Sequence, residues 1–257
     1  MHQTADEHRN AAVEALAGRD PERAGDEYTR TAWATLATPR ADVGPFDADE
    51  RGWVGVGLGA LVVSAVCYRV AGRDARATHR GVEGVAVARD LRHALEHPVQ
   101  RACLREFVAD FRVVGGLDGV QEAYAAAAEA YEHAADSLDG DDPQRWATTP
   151  LFEAAAAPIK QVARGPANGE IAVAWEDLHG PDPSAPGAFL ARRATYKRQR
   201  FPSLLARVVD DGVLAAPRGT TEYGTDHHRC PHCGSTDVNW VADSTLCLRC
   251  SRPTEPQ

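Results

Sequence analysis

Apolar residues return every three to four positions through most of the chain, and the stretches in which they do so come in pairs joined by glycine-containing turns. The first pair covers roughly residues 3 to 17 and 21 to 38. Gly18 stops one helix, and Asp20 followed by Pro21 gives the next an N-cap and a first-turn proline. Along that second helix Ala24, Tyr28, Ala32 and Leu36 recur every four residues, with Trp33 beside them, so one face is apolar. A break follows at TPRADVGPFD, residues 38 to 47. The next pair spans about 48 to 71 and 74 to 96. Its connection, Ala71-Gly72-Arg73-Asp74, repeats Ala17-Gly18-Arg19-Asp20 at an offset of 54, and both fall at an expected turn. A third pair, 98 to 114 and 118 to 138, is joined by Gly115 and Gly116. Leu104, Phe107, Val108, Phe111 and Val114 stripe its first helix; Val120, Tyr124, Ala127, Tyr131, Ala134 and Leu138 stripe its second. A charged loop, DGDDP at 139 to 143, closes the unit. Residues 144 to 179 continue helically, interrupted by Pro150, Pro158 and Pro166, with Asn168 a cap for a helix holding Ile171, Val173, Trp175 and Leu178.

The period changes near the C-terminus. Val238, Trp240 and Val241, then Thr245, Leu246 and Leu248, outline a short hairpin between two Cys-x-x-Cys pairs, Cys230/Cys233 and Cys247/Cys250, which are separated by 13 residues. Zn²⁺ has no ligand-field preference and accepts four thiolates at tetrahedral corners, and a two-residue spacer lets each pair chelate from one tight turn. This is the pattern of a zinc ribbon holding one structural ion, with Gly234 free to take the positive φ of a CPxCG knuckle. A pair of redox dithiols or a disulfide is the competing reading. Four protein ligands leave no open position for water, so the metal is expected to hold the fold.

Helix, glycine turn and a helix striped Ala24, Tyr28, Ala32 resemble the tetratricopeptide hairpin or the longer hairpin of soluble-NSF-attachment-type proteins, and residues 1 to about 140 have room for three such units. The resemblance implies a curved stack that binds peptides or proteins on its concave side. The unit spacing is longer and less regular than the family's, and the full signature of the first helix is absent. An irregular bundle is the alternative. The expected fold is therefore mainly α: stacked antiparallel hairpins over 1–180, a basic helix and possible wing over 187–225, and a small β zinc ribbon over 226–252.

Composition narrows this picture. The chain carries 37 acidic and 28 basic residues, a formal net charge of −9, and only Lys160 and Lys197 are lysines. An alanine-rich, 7% aromatic composition favours packed helices over a β sandwich. The N-terminus has no basic-then-apolar leader organisation, so a cytoplasmic location is expected. The uncharged stretch from 53 to 68 is shorter than the roughly 20 residues of a membrane span and reads as a buried helix. Gly55, Gly57 and Gly59 in it do not follow a strand and lack nucleotide-loop spacing, which leaves close helix packing. Cys67 and Cys103, in apolar surroundings, read as buried thiols.

Charge changes sign late in the chain. Residues 182–257 sum to +2 against −11 for 1–181, and no acidic residue lies between Pro183 and Val209. Arg192, Arg193, Lys197, Arg198 and Arg200 are candidates to bind nucleic acid or an acidic partner, with Tyr196 and Phe201 interleaved. Docking on the acidic helices is the other use for them. The segment after this helix has the cadence of a winged helix: a strand at Val213 and Leu214, a turn at 217 to 219, and a return strand through Tyr223. His93, Glu96 and His97 match the H-x-x-E-H zinc-peptidase pattern, but Pro98 ends the helix that would have to carry both histidines. His227, His228 and His232 crowd the first knuckle, and Glu176, Asp177 and His179 sit at a helix end. The sequence reading is thus a non-enzymatic adaptor that engages a protein partner, with a nucleic-acid-binding regulator as the alternative and a peptidase third. Neither a small-molecule substrate nor a membrane is expected.

Overall fold

The computed structural model describes residues 4–37, 53–95, 97–138, 142–164 and 172–257. The break expected at 38–47, the acidic tract at 139–141, Glu96, Asn168 and Ile171 lie outside them. Among the described residues the three helix pairs form as α1 (Ala5–Ala17) and α2 (Pro21–Ala37), α3 (Trp53–Val70) and α4 (Asp74–His93), α5 (Pro98–Gly115) and α6 (Val120–Ala134). Beyond them come α7 (Asp142–Ala147), α8 (Pro150–Ala163), the single turn α9 (Trp175–Leu178) and the long α10 (Pro186–Asp211). Helix α1 opens with a capping box: Thr4 Oγ1 accepts from the Glu7 amide at 3.2 Å while Glu7 accepts from the Thr4 amide at 2.6 Å.

From α1 to α6 each helix packs on its successor, and α10 continues the series by packing on α6. Helix α8 lies against α3 and also meets α5 and α10. The faces of α3 and α5 that an open hairpin array would offer to a peptide are therefore covered by the chain's own later helices. Because it is enclosed this way, the apolar α3 has 78% of its length buried inside the fold, as a core helix does. Its glycines allow close approach: a Cβ on Gly57 would stand 2.6 Å from Leu36, and one on Gly55 2.9 Å from the Ala154 methyl. The repeated Ala-Gly-Arg-Asp turns are not equivalent, since the left-handed residue is Arg19 (φ 65°) in the first and Gly72 (φ 67°) in the second. The shared letters mark two turns of different geometry.

Two small sheets close the chain. Strands β1 (Thr220–Glu222), β3 (Val238–Val241) and β4 (Ser244–Cys247) form an antiparallel sheet in the order β1-β3-β4, and β2 (His228–Arg229) pairs with β5 (Glu255–Pro256). The expected wing is not made. Val213 and Leu214 form no strand, and β1 is the edge strand of the ribbon, with Thr220 opposite Trp240. The cause is Asn239, whose side chain accepts from the Gly219 amide at 2.8 Å and donates to the Pro217 carbonyl at 3.0 Å, tying the incoming strap to β3. The same strap is held to α8, where Gln161 Nε2 reaches Ala215 O at 2.9 Å and Arg164 Nη1 reaches Ala216 O at 2.7 Å. Val13 and Ala17 of α1 join Ala216, Val241 and Leu246 in a small apolar cluster that seats the ribbon on the helical body.

Candidate functional site

Of the five basic residues expected to face a polyanion, two point into the protein. Arg193 and Lys197, one turn apart on α10, meet Glu106 and Asp110, one turn apart on α5, and all four side chains are buried. Arg193 Nε donates to Glu106 Oε1 at 2.7 Å and its Nη2 to Glu106 Oε2 at 2.9 Å, the bidentate fork that a guanidinium offers a carboxylate. Its Nη1 reaches the Phe152 carbonyl at 2.9 Å. Lys197 Nζ uses its three protons on Glu106 Oε1 at 2.7 Å, Asp110 Oδ2 at 2.6 Å and the Ala155 carbonyl at 2.7 Å. From α6, Tyr131 donates to Glu106 at 2.8 Å and Tyr124 to Asp110 at 2.6 Å.

Burial would raise both carboxyls. At Glu106 the Arg193 and Lys197 charges outweigh burial and hold the group at about 2. At Asp110 burial prevails over Lys197, the Glu106 charge adds to it, and the carboxyl is pushed up to about 6. At neutral pH the two anions and two cations cancel, and every strong donor among them has an acceptor. Arg193 and Lys197 therefore do not contact a phosphate, which corrects the polyanion reading for these two. Arg192, Arg198 and Arg200 remain exposed on the outer face of α10. The sequence reading missed Glu106 and Asp110 as partners. The signal was present as two acids four residues apart inside an apolar stripe, matched by two cations four apart elsewhere.

The four cysteines come together as their spacing implied. The sulfurs of Cys230, Cys233, Cys247 and Cys250 all lie within 4.8 Å of one another, with Cys230 to Cys250 and Cys233 to Cys247 at 3.5 Å. These separations match the edges, about 3.8 Å, of a tetrahedron of sulfurs about 2.3 Å from a common ion, and are far longer than a disulfide. The two knuckles share one construction. The residue after each second cysteine, Gly234 (φ 73°) and Ser251 (φ 56°), is left-handed and donates its amide to the carbonyl of the first cysteine at 2.9 Å. The amides of His232 and Cys233 turn toward the Cys230 sulfur, and those of Arg249 and Cys250 toward Cys247. Four sulfurs served by backbone donors form a donor set that suits a metal cation, so the cluster can hold a metal ion. Comparison with protein-family models, with curated proteins and with solved structures gives no match to this chain. The tetratricopeptide-type resemblance accordingly stands without a family match, and the site is interpreted from its own geometry.

The remaining candidates occupy structural positions. His93 ends α4, whereas His97 caps α5, with Nδ1 accepting from the Val99 amide at 3.3 Å and its ring 4.3 Å from that of Trp146. No single helix carries both, and Glu96 lies outside the described residues. Asp177 accepts from the Ala174 amide at 2.9 Å as part of α9, and His179 stacks on Trp175 at 3.6 Å. His228 meets Trp240 edge-on at 5.1 Å. Cys67 and Cys103 are fully buried, and burial pushes the Cys103 thiol up to about 12.

Proposed function

We propose that this chain is a zinc-stabilised binding protein with no catalytic step of its own, in which a closed helical body presents the ribbon to a partner protein. The observation that carries the reading is the convergence of four cysteine sulfurs within 4.8 Å. With every tetrahedral position supplied by the protein, a bound ion has no place for water or substrate, and its contribution is to folding. Zinc is the ion that suits an all-thiolate tetrahedron without redox chemistry. The ribbon is held firmly: Arg19 donates to the Cys250 carbonyl, Asn10 to Asp243, and the Ala216 amide to Ser251 Oγ at 3.3 Å. It also carries two of the large apolar side chains exposed on the molecule, Tyr223 at 62% and Trp240 at 39%. Exposed aromatics on a rigid support are the residue types that anchor protein interfaces.

The test joins metal analysis to capture from a nuclease-treated native lysate. The reading requires about one zinc per chain and a partner that survives nuclease and is lost when Trp240→Ser and Tyr223→Ser are combined. Protein purified without stoichiometric zinc, or with iron in its place, sinks the metal assignment. A partner retained by the double variant sinks the ribbon as the contact surface.

A further inference from the structure

Beyond the ribbon, one surface runs against the character of the whole chain. Helices α4, α5 and α6 enclose a trough of about 550 Å³ bordered by Arg92 and His93 of α4, Arg101 and Arg105 of α5, and His133 of α6. It continues past Arg92 and Arg105 into a second hollow of about 330 Å³ that adds Arg89 and Arg112. Arg101, Arg105 and Arg112 follow one row along α5, so at 1.5 Å per residue the arginines extend over about 16 Å. Two carboxylates, Glu129 and Glu122 of α6, also border the two hollows.

In a chain with nine more acidic than basic residues, surface arginines have carboxylates to choose from. On the same α4, Arg76 pairs with Glu22 and Asp26 and Arg80 with Glu83; just before it, Arg73 pairs with Glu22. Arg89, Arg92, Arg101 and Arg105 do otherwise. None of their four guanidinium groups has a hydrogen bond or ion pair to a described residue. They instead face one another: burial first, then the charges of Arg105, Arg89 and Arg101, pulls the Arg92 guanidinium below its ordinary value. Like charges that outnumber the carboxylates beside them oppose folding unless something external offsets the excess. An elongated row of them calls for a ligand with several charges in series.

We propose that this trough binds the phosphodiester backbone of single-stranded nucleic acid. Guanidinium forks match phosphate oxygens bidentately, and among the described residues all of the fixed positive charges in the trough are arginines. A trough recessed between helices, with its arginines in series over about 16 Å, follows the backbone of one strand in the way of a single-strand-binding groove. Among the described residues no Phe, Tyr or Trp borders either hollow, so binding follows the backbone with little sequence preference. The site does not depend on the metal centre or on the ribbon aromatics.

The experiment uses the full zinc-loaded chain and a labelled oligouridylate, titrated at rising salt. Binding at low salt is expected, with log affinity falling linearly in log salt. Combining Arg101→Ser with Arg105→Ser is expected to reduce affinity at least ~10-fold and to lower the salt slope by about one per phosphate contact removed. Arg192→Ser, Arg198→Ser and Arg200→Ser together are expected to leave affinity within about twofold, because those arginines lie outside the trough. Thermal melting of each variant checks that it is folded, and Arg101→Lys with Arg105→Lys, which keeps the charge, covers the case in which the serine variant fails to fold by retaining part of the affinity. Absence of binding at low salt overturns the proposal, as does undiminished binding by the folded serine variant or an equal loss in the α10 triple variant. Inorganic tripolyphosphate or polyglutamate that binds with the same variant dependence while oligouridylate does not would also overturn it, assigning the trough to a free polyphosphate or an acidic protein. Zinc content and partner capture by the ribbon are unchanged in either case, so this failure is distinguishable from failure of the ribbon reading.

Discussion

Two charged centres cross-link this chain, and they solve opposite problems. In the helical body Glu106, Asp110, Arg193 and Lys197 bring two negative and two positive charges together, joining α5 to α10 across 87 residues of sequence. In the ribbon Cys230, Cys233, Cys247 and Cys250 bring four groups of one kind together, and as thiolates they would repel one another without a cation between them. The first centre is complete from the protein alone. The second needs something the sequence cannot encode except by providing for it. Completeness should allow the helical core to form on its own, whereas the ribbon's order is expected to follow metal concentration.

The largest effect expected from this contrast is metal removal. Binding of structural zinc contributes about 10–16 kcal/mol of apparent free energy in zinc-finger peptides, most of it expressed as folding. A strong chelator, or Cys247→Ser, should therefore abolish the amide-exchange protection of β3 and β4 while α3 and α5 keep theirs. Equal loss of protection in both regions would show that the body also depends on the metal, and the contrast would fail.

Next in size is Glu106→Gln. It leaves Arg193 and Lys197 in the interior with a single carboxylate between them, and breaking a buried ion pair in this way costs about 3–5 kcal/mol. Urea midpoints provide the measure. Replacing Glu106 by Leu and Arg193 by Met together should cost less than the two single changes summed, because no orphaned charge remains on that side of the cluster. Additive losses would mean that the four groups do not act as a unit.

The two centres were unequally legible in the sequence. A metal site made by two short chelating turns is local: Cys-x-x-Cys with a following Gly234 or Ser251 fixes most of the geometry within a few residues. The buried ion cluster is a tertiary event. The spacing of Arg193 and Lys197 on one helical face was visible, but which way that face turned depended on Glu106 and Asp110, far away in sequence and lying in a stripe otherwise apolar. A basic helix in an acidic chain fits docking and polyanion binding equally well until its partners are located. The helix pairs were legible for the converse reason, since the three-to-four residue period and the glycine turns specify them locally. How they would stack against α8 and α10, and so close the array, was not local. The wing failed for the same cause: Asn239 captures residues 217–219 for the ribbon, and nothing within 213–223 reveals that.

A pH titration sharpens the comparison with a smaller effect. Glu106 is held at about 2, below the ordinary carboxyl value, so its stabilisation is present above that ordinary value and is lost as pH falls through it toward 2. Asp110 is raised to about 6, so the folded state takes up its proton first, and its contribution is fullest below its ordinary value and lost as pH rises through about 6. From pH 7 to pH 5 the wild type should therefore gain stability relative to Asp110→Asn, and below about pH 4 it should lose stability relative to Glu106→Gln. Urea midpoints collected over this range would show the two limbs, and parallel profiles for wild type and Asp110→Asn would remove Asp110 from the account.

The smallest effect falls on the outer face of the same helix. Arg192, Arg198 and Arg200 flank Arg193 and Lys197 in sequence but project into solvent. Replacing each by Ser should change stability by no more than about 0.5 kcal/mol, against the several kcal/mol expected for Arg193→Met alone. The backbone around them is held independently of their side chains: Pro202 lacks the amide that would bond the Arg198 carbonyl, and Gln121 Nε2 approaches that oxygen at 3.4 Å instead. Measured side by side in one denaturant series, the five cations between Arg192 and Arg200 should separate into two structural and three dispensable ones. A stability loss of similar size at all five positions would mean that burial of Arg193 and Lys197 is not what ties α10 to α5.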